Sequence, residues 1–169
     1  MIKKIDATLV TEMGQNAQDS SRLRSHHNFH PTLTDSVNRL CIFLKHGTYI
    51  RPHRHSEAHK WELIIALKGQ TGIVIYDARG QITDKFVIAP DSTMIGFEME
   101  PNTWHSLYAI TDEAMFFEVK PGPFSPTPQC DFAYWAPKEG ECAVEQFLMW
   151  QTTAYIGEKY GVSSNDVPD

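Results

Sequence analysis

Two histidines one residue apart, His53 and His55, carry the clearest chemical pattern in this chain of 169 residues. Along an extended strand, side chains two apart project from the same face. Both imidazoles therefore point one way, as the first two ligands of a metal must. Glu62 opens the next apolar run and can return a carboxylate beside them, and His105 follows a later turn at Pro101-Asn102. Three imidazoles and one carboxylate suit one divalent transition metal, and such a set accepts Fe, Mn, Ni, Co or Zn without choosing among them. Each residue alone has a plainer reading. A His-x-His pair on a strand is often incidental, His105 alone reads as a satisfied or exposed histidine, and Glu62 alone is a charged strand start. The inference rests on their joint spacing.

Other polar residues gather around this set in sequence. Arg51 sits two residues before His53 and shares its face in an extended segment. Its planar fork suits a carboxylate or phosphate of a substrate, or the task of orienting Glu62. His30 and Glu98 are, with Arg51, the candidate catalytic groups, Glu100 being an alternative to Glu98 as a base near the metal. The segment RLRSHHNFH, residues 22–30, supplies Arg22, Arg24, Asn28 and His30 as candidate ligand-binding groups. Asn28 and His30 face together if it is extended, either across a pocket mouth or as an edge strand pairing with surface carboxylates. Trp104, beside His105, is a candidate wall for a sugar ring, although it and its fellow aromatics Phe116, Phe117, Phe132, Tyr134 and Trp135 read first as core or strap anchors. Glu118 is a candidate acceptor for a histidine N–H. His26, His27, His46 and His59 read as structural or surface residues.

These groups need a β framework to meet. From Arg39 to Lys120 short apolar runs recur about every 8–12 residues with turn chemistry between them, the pattern of an all-β sandwich or barrel. They are RLCIFLK, WELIIALKG, GIVIYDARG, QITDKFVIAP, TMIGFEM, WHSLYAI and AMFFEVK. No helical stretch intervenes to make parallel βαβ units. Leu63, Ile65 and Leu67 alternate with Ile64 and Ala66, so this strand is apolar on both faces and needs a second layer, for which a homodimer partner is one source. Residues 1–20 read as a short helix and polar turn. The segment PGPFSPTPQCDF, too rich in proline for a central strand, reads as a strap wrapping the outside. Ala143, Val144, Phe147, Leu148 and Gln151 fall at helical spacing within residues 141–157. The expected organisation is one domain: an N-terminal helix and polar arm (1–38), a β barrel (39–120), then strap and C-terminal helix (121–169).

Composition narrows the function classes. The formal charge of −6 argues against non-specific nucleic-acid binding, which asks for a basic stripe. Cys41, Cys130 and Cys142 are odd in number and without Cys-x-x-Cys spacing, which fits a reduced compartment rather than a disulfide framework. The N-terminus lacks the apolar core of a signal peptide. No apolar run approaches the roughly 18–20 residues of a membrane span. The expectation is a cytoplasmic protein with a small-molecule ligand and neither nucleic acid nor membrane as partner.

Gly47, five residues, His53, one residue, His55, then Glu62, six residues and Gly69 resemble the first signature motif of the cupin superfamily, with SEAHKW lengthening the gap before Glu62. Gly96, Pro101 and His105 resemble the second motif, with proline and histidine one residue closer and Thr103 in place of the customary glycine. A narrower resemblance covers almost the whole chain: RLRSHHNFH, RPHRH, the Trp104-His105 pair, FFEVKPGPF and FAYWAPKEG are similar to the WbuC family of cupin-fold metalloproteins. The resemblance implies a single cupin double-stranded β-helix or jelly-roll barrel, a bound metal and a bacterial origin. Some members of that family are encoded among O-antigen or other surface-polysaccharide genes, and the family's reaction is not established. Three functions follow as expectations: a metal-dependent isomerase or epimerase on a small polar metabolite such as a sugar or sugar nucleotide, an Fe(II)-type dioxygenase, or a non-catalytic metal- or metabolite-binding barrel. A fourth reading treats the histidines as remnants of a former site.

Overall fold

The fold follows from period-two patterning that extends over nearly every strand. A computed structural model describes residues 2–161, so residues 162–169 of the expected C-terminal segment lie outside the described residues. The elements are α1 (Ala7–Asp19), β1 (Arg24–Asn28), β2 (Val37–Lys45), β3 (Glu62–Lys68), β4 (Thr71–Tyr76), β5 (Ile82–Ile88), β6 (Gly96–Met99), β7 (Trp104–Ala109), β8 (Glu113–Pro121) and α2 (Val144–Thr153). Strands β2 to β8 coincide with the apolar runs of the sequence. They form a five-stranded sheet in the order β1-β2-β8-β3-β6 and a three-stranded sheet in the order β5-β4-β7. Every strand pair is antiparallel. The two sheets face each other as a jelly roll, and among the described residues the ladders do not run continuously around it. The expected barrel is thus an open-sided sandwich of cupin type.

Inward side chains from both sheets meet in one apolar cluster that includes Ile42, Ile64, Ile73, Leu107, Ala114 and Phe116. Each fully buried Ile or Phe contributes roughly 1.5–3 kcal/mol relative to exposure. The alternate residues point outward, and they are covered too. Cys41, Phe43 and Met115 pack against Leu9, Met13 and Ala17, a one-turn-spaced stripe on α1. Asp6 caps that helix, its side chain accepting from the Leu9 N–H at 3.1 Å. On the other sheet, Val74, Tyr76, Trp104 and Tyr108 pack with Phe147 of α2 and with Ala133 and Ala136 of the strap. Helices α1 and α2 thus cover the outer faces of β2, β8, β4 and β7, whereas Ile65 on the outer face of β3 stays exposed.

Helix α2 is shorter than the apolar pattern suggests, because Ala154 turns extended after Thr153. Its buried Gln151 donates to Ser106 at 2.8 Å, and Ser106 donates to the Ile50 carbonyl at 2.7 Å. That chain of bonds ties the helix to β7 and to the segment leading into His53. The polar arm is an edge strand of the larger sheet: β1 pairs with β2 from Arg24↔Leu44 to Asn28↔Leu40. Gly69 ends β3 with φ +62°, and a Cβ there would fall 2.0 Å from the Glu113 carbonyl. Only glycine fits that close turn.

Candidate functional site

The His-x-His segment is held by a bridge instead of a full strand. His53 N–H donates to the His105 carbonyl at 3.0 Å, and His105 N–H returns a bond to the His53 carbonyl at 2.8 Å. Pro52 has no N–H to extend the ladder, although its carbonyl accepts from Ala133 at 2.9 Å. Residues in such a doubly bonded bridge present their side chains on the same face. The His53 and His105 ring centroids lie 4.4 Å apart, and His55 is 5.2 Å from His53.

Each ring is oriented by its own backbone. His53 Nδ1 lies 3.0 Å from the Arg51 carbonyl and His105 Nδ1 lies 2.9 Å from the Thr103 carbonyl. A carbonyl only accepts, so these nitrogens carry the protons and Nε2 of each ring keeps a free lone pair. Potential ligand atoms of His53, His55 and His105 all fall within 4.8 Å of one another. Burial lowers the pKa of both His53 and His105, and for His53 the adjacent His105 adds to it. Both rings are thus neutral and able to ligate.

Glu62 stands at the inward-facing start of β3, with 2% of its surface exposed. Its Oε1 lies 3.1 Å from His55 Nε2 and its Oε2 lies 3.3 Å from His105 Nε2. The same Oε1 accepts from Lys120 at 2.8 Å. Burial opposes ionisation of this carboxyl, but Lys120, then His55 and His105, outweigh it and hold it well below the usual carboxylate range. His55 Nε2 is buried and lacks an aligned hydrogen-bond partner. A buried imidazole nitrogen without a partner, beside two lone pairs and a carboxylate, fits a divalent cation. These are the donors that such an ion would take: three histidines close together, with Glu62 against two of them and shared with Lys120.

The cluster opens on a cavity of about 430 Å³. Arg22, Arg24, Asn28, His30 and Arg51 line it, so the structure brings these sequence candidates together with His53, Glu62 and His105. Arg24, His26 and Asn28 alternate along β1, which puts all three on the cavity side. His26, read from sequence as structural or surface, is therefore a cavity residue. His30 Nδ1 accepts from the Arg39 N–H at 3.1 Å. The Arg39 N–H can only donate, so Nδ1 is the acceptor in this bond and the His30 proton sits on Nε2.

Two candidates fall elsewhere, and both for reasons of register. Glu98 pairs with Leu63 on edge strand β6 while Met99 pairs with Glu62. Met99 is buried and Glu98 is exposed on the outer face, outside the cavity lining. Trp104 is one residue from His105 and so faces the opposite side of β7. There it lies under the Arg54 guanidinium at 4.7 Å and against Trp135. Arg51 does not orient Glu62, since its Nη2 donates to the Ala133 carbonyl at 2.6 Å. Glu118 faces inward as expected but meets Lys120 at 2.7 Å, not a histidine N–H.

Sequence reasoning missed Lys120, Asn38 and Asp131. The first two were within reach of the pattern, since Lys120 is two residues from inward Glu118 and Asn38 two from inward Leu40. Asp131 had no such signal. It is 2% exposed, and from the strap it grips the ligand segment. Its carboxylate accepts from Arg54 Nε at 3.0 Å and from Ser56 Oγ at 2.7 Å, and its carbonyl accepts from the Arg54 N–H at 2.9 Å.

Comparison with known proteins agrees with this architecture. A family described as a domain of unknown function (DUF6016) matches residues 5–88. No curated protein matches the chain. An RmlC-like cupin family protein with a double-stranded β-helix fold from Methanocaldococcus jannaschii is 17% identical, with 73% of this chain and 94% of that one covered and a TM-score of 0.47. A cupin superfamily protein from Desulfitobacterium hafniense is 11% identical over 58% of this chain and 76% of its own, with a TM-score of 0.45. CapF, solved with the inhibitor 3-isopropenyl-tropolone, is 16% identical over 64% of this chain and 30% of its own, with a TM-score of 0.53. The likeness to CapF is one of fold alone. Among the described residues no helix is long and apolar enough to cross a membrane.

Proposed function

We propose that the protein is a divalent-metal-dependent enzyme acting on a small polar metabolite in the cavity beside His53, His55 and His105. The observation that carries this reading is the trio of histidines with ligand atoms within 4.8 Å, opening on a cavity lined by both charged and apolar side chains. His53, His55 and His105 would hold the metal, with Glu62 as the fourth donor. A divalent cation bound there supplies Lewis-acid polarisation of a substrate oxygen. The remaining work falls to the chain. Lys120 keeps Glu62 and Glu118 apart as a shared counter-charge, 2.8 and 2.7 Å away. Glu118, whose pKa burial raises, is the group available to accept and return a substrate proton, while Lys120 stays a cation held by both carboxylates; His30 lines the same cavity as a further donor. Phe116, Phe132 and Leu107 line the cavity with apolar surface that limits water.

The finer assignment is isomerisation or epimerisation of a sugar or sugar nucleotide in surface-polysaccharide synthesis. It rests on the five sequence segments similar to the WbuC family. The reading puts the protein in the cytoplasm, where Cys41, Cys130 and Cys142 would stay the free thiols they are here. A homodimer belongs to the same reading, and exposed Ile65 and Ile95 near the β3–β6 edge are its candidate contacts.

Elemental analysis of the purified protein beside His53→Ala and His105→Ala is the test. Near-stoichiometric metal in the parent and background levels in both variants are expected. A parent protein that stays empty after reconstitution with Fe, Mn, Ni, Co and Zn would end the proposal.

A further inference from the structure

Arg51 carries a charge that no carboxylate among the described residues answers. The other cavity cations are paired: Arg22 and Arg24 share Glu139 at 2.7 and 2.6 Å, and Lys120 lies between Glu62 and Glu118. Among the described residues no carboxylate lies within ion-pair reach of Arg51. Its surface is only 9% exposed, and it lines the cavity. Nη2 is satisfied by the Ala133 carbonyl, whereas Nε is sealed from solvent with no acceptor. The Phe132 ring lies 5.4 Å from the guanidinium carbon and covers one face. A buried charge is costly unless it is paired and hydrogen-bonded, and the cavity that Arg51 lines is where a partner can reach it.

We infer that the ligand carries a single carboxylate, bound by the Arg51 guanidinium, with a hydroxyl or carbonyl oxygen turned toward His53, His55 and His105. The second half of this inference rests on the metal-enzyme reading above; the first does not. Charge decides for carboxylate over phosphate. One unpaired guanidinium answers one negative charge, and Arg24 is spent, with Nη1 on the Tyr49 carbonyl at 2.7 Å and Nη2 on Glu139. A planar fork also matches a planar carboxylate edge to edge. Asn38 points to a hydroxyl on the same ligand, because its Oδ1 is buried at the cavity wall without a donor. Arg51 and His53 flank Pro52, roughly 7 Å apart along an extended backbone, a span that suits a hydroxy acid of a few carbons.

Lactate, lactamide and inorganic phosphate, titrated calorimetrically into the full chain, test this with and without prior chelation of metal. Lactate should bind at least about tenfold more tightly than either of the others, and should keep that preference in chelated protein, because Arg51 is not a metal ligand. Arg51→Lys keeps the charge but loses the fork, so it should weaken lactate binding roughly tenfold with an unchanged circular dichroism spectrum. Lactamide or phosphate binding as tightly as lactate would overturn the inference, even if no Arg51 variant folds. So would full-strength lactate binding by a folded Arg51→Lys protein. The two readings fail separately. A preference for lactate in a protein that holds no metal would sink the enzyme proposal and keep the Arg51 subsite. Normal metal content with no such preference would do the reverse.

Discussion

The two ends of the jelly-roll interior are built from the same strands and have opposite characters. At one end β3, β7 and β8 contribute Ile64 and Ala66, Leu107 and Ala109, and Ala114 and Phe116 to a dry apolar cluster. At the other end the same inward faces of the same strands carry Glu62, His105, Glu118 and Lys120. Leu40, Ile42, Leu107 and Phe116 belong to both, as the outer layer of the core and the floor of the cavity. Period two decides only which way a side chain faces. Position along the strand decides whether it serves stability or chemistry. The closed end stabilises by removing apolar area from water; the open end concentrates charges that need partners.

Removing a partner at the open end should have the largest effect. Lys120→Met leaves Glu62 and Glu118 facing one another, and loss of one member of a buried ionic set costs about 4 kcal/mol. Chemical denaturation of chelated protein should show that loss, and saturating metal should restore part of it by binding a freed Glu62. A loss that metal does not reduce would mean that Lys120 only packs. At the closed end, Ile64→Ala should cost about 3 kcal/mol through transfer and cavity terms. Metal per folded molecule should not change; a proportional fall in metal would show that the two ends are not separable.

Asp131 sharpens the contrast from outside the cavity, because it touches the ligand segment through Arg54 and Ser56 and not through a histidine. Asp131→Asn should weaken metal binding by about 10–100-fold, the range for outer supports of metal ligands. Competition with a fluorescent chelator would measure it, and unaltered affinity would leave Asp131 a plain strap anchor.

The smallest expected effect concerns pH. Burial, then the cations Arg24, Arg22 and Lys120, lower the His26 pKa to about 4, against about 6.5 in an unfolded chain. Between these values the unfolded chain binds a proton that the folded one refuses. Stability present above pH 6.5 is therefore lost as pH falls through that window. The loss is modest, since His26 is exposed to the cavity. Thermal melts should be less acid-sensitive in His26→Gln over that range, whereas the penalty of Ile64→Ala should be equal at pH 7.5 and pH 5. Identical acid sensitivity of His26→Gln and the parent would remove His26 from the account.

Much of this site was legible because its signals are local. The spacing of His53 and His55, the carboxylate at the start of the next strand and His105 after a turn need only strand periodicity and a fold that returns strands to one another. The β runs from Arg39 to Lys120 were equally plain, since alternation and turn residues mark them out along the chain. Glu98 and Trp104 show where that legibility ended: each is one residue from an inward position, and a shift of one residue along a strand reverses the face. Sequence alone thus determined the strands and the kind of chemistry. Tertiary structure decided register and long-range company. It turned β1 inward through pairing with β2, brought Asp131 of the strap onto Arg54 and Ser56, packed α1 and α2 against the two sheets, and left Arg51 without a carboxylate among the described residues. Those outcomes depend on contacts between residues tens of positions apart, which no local pattern of side chains encodes.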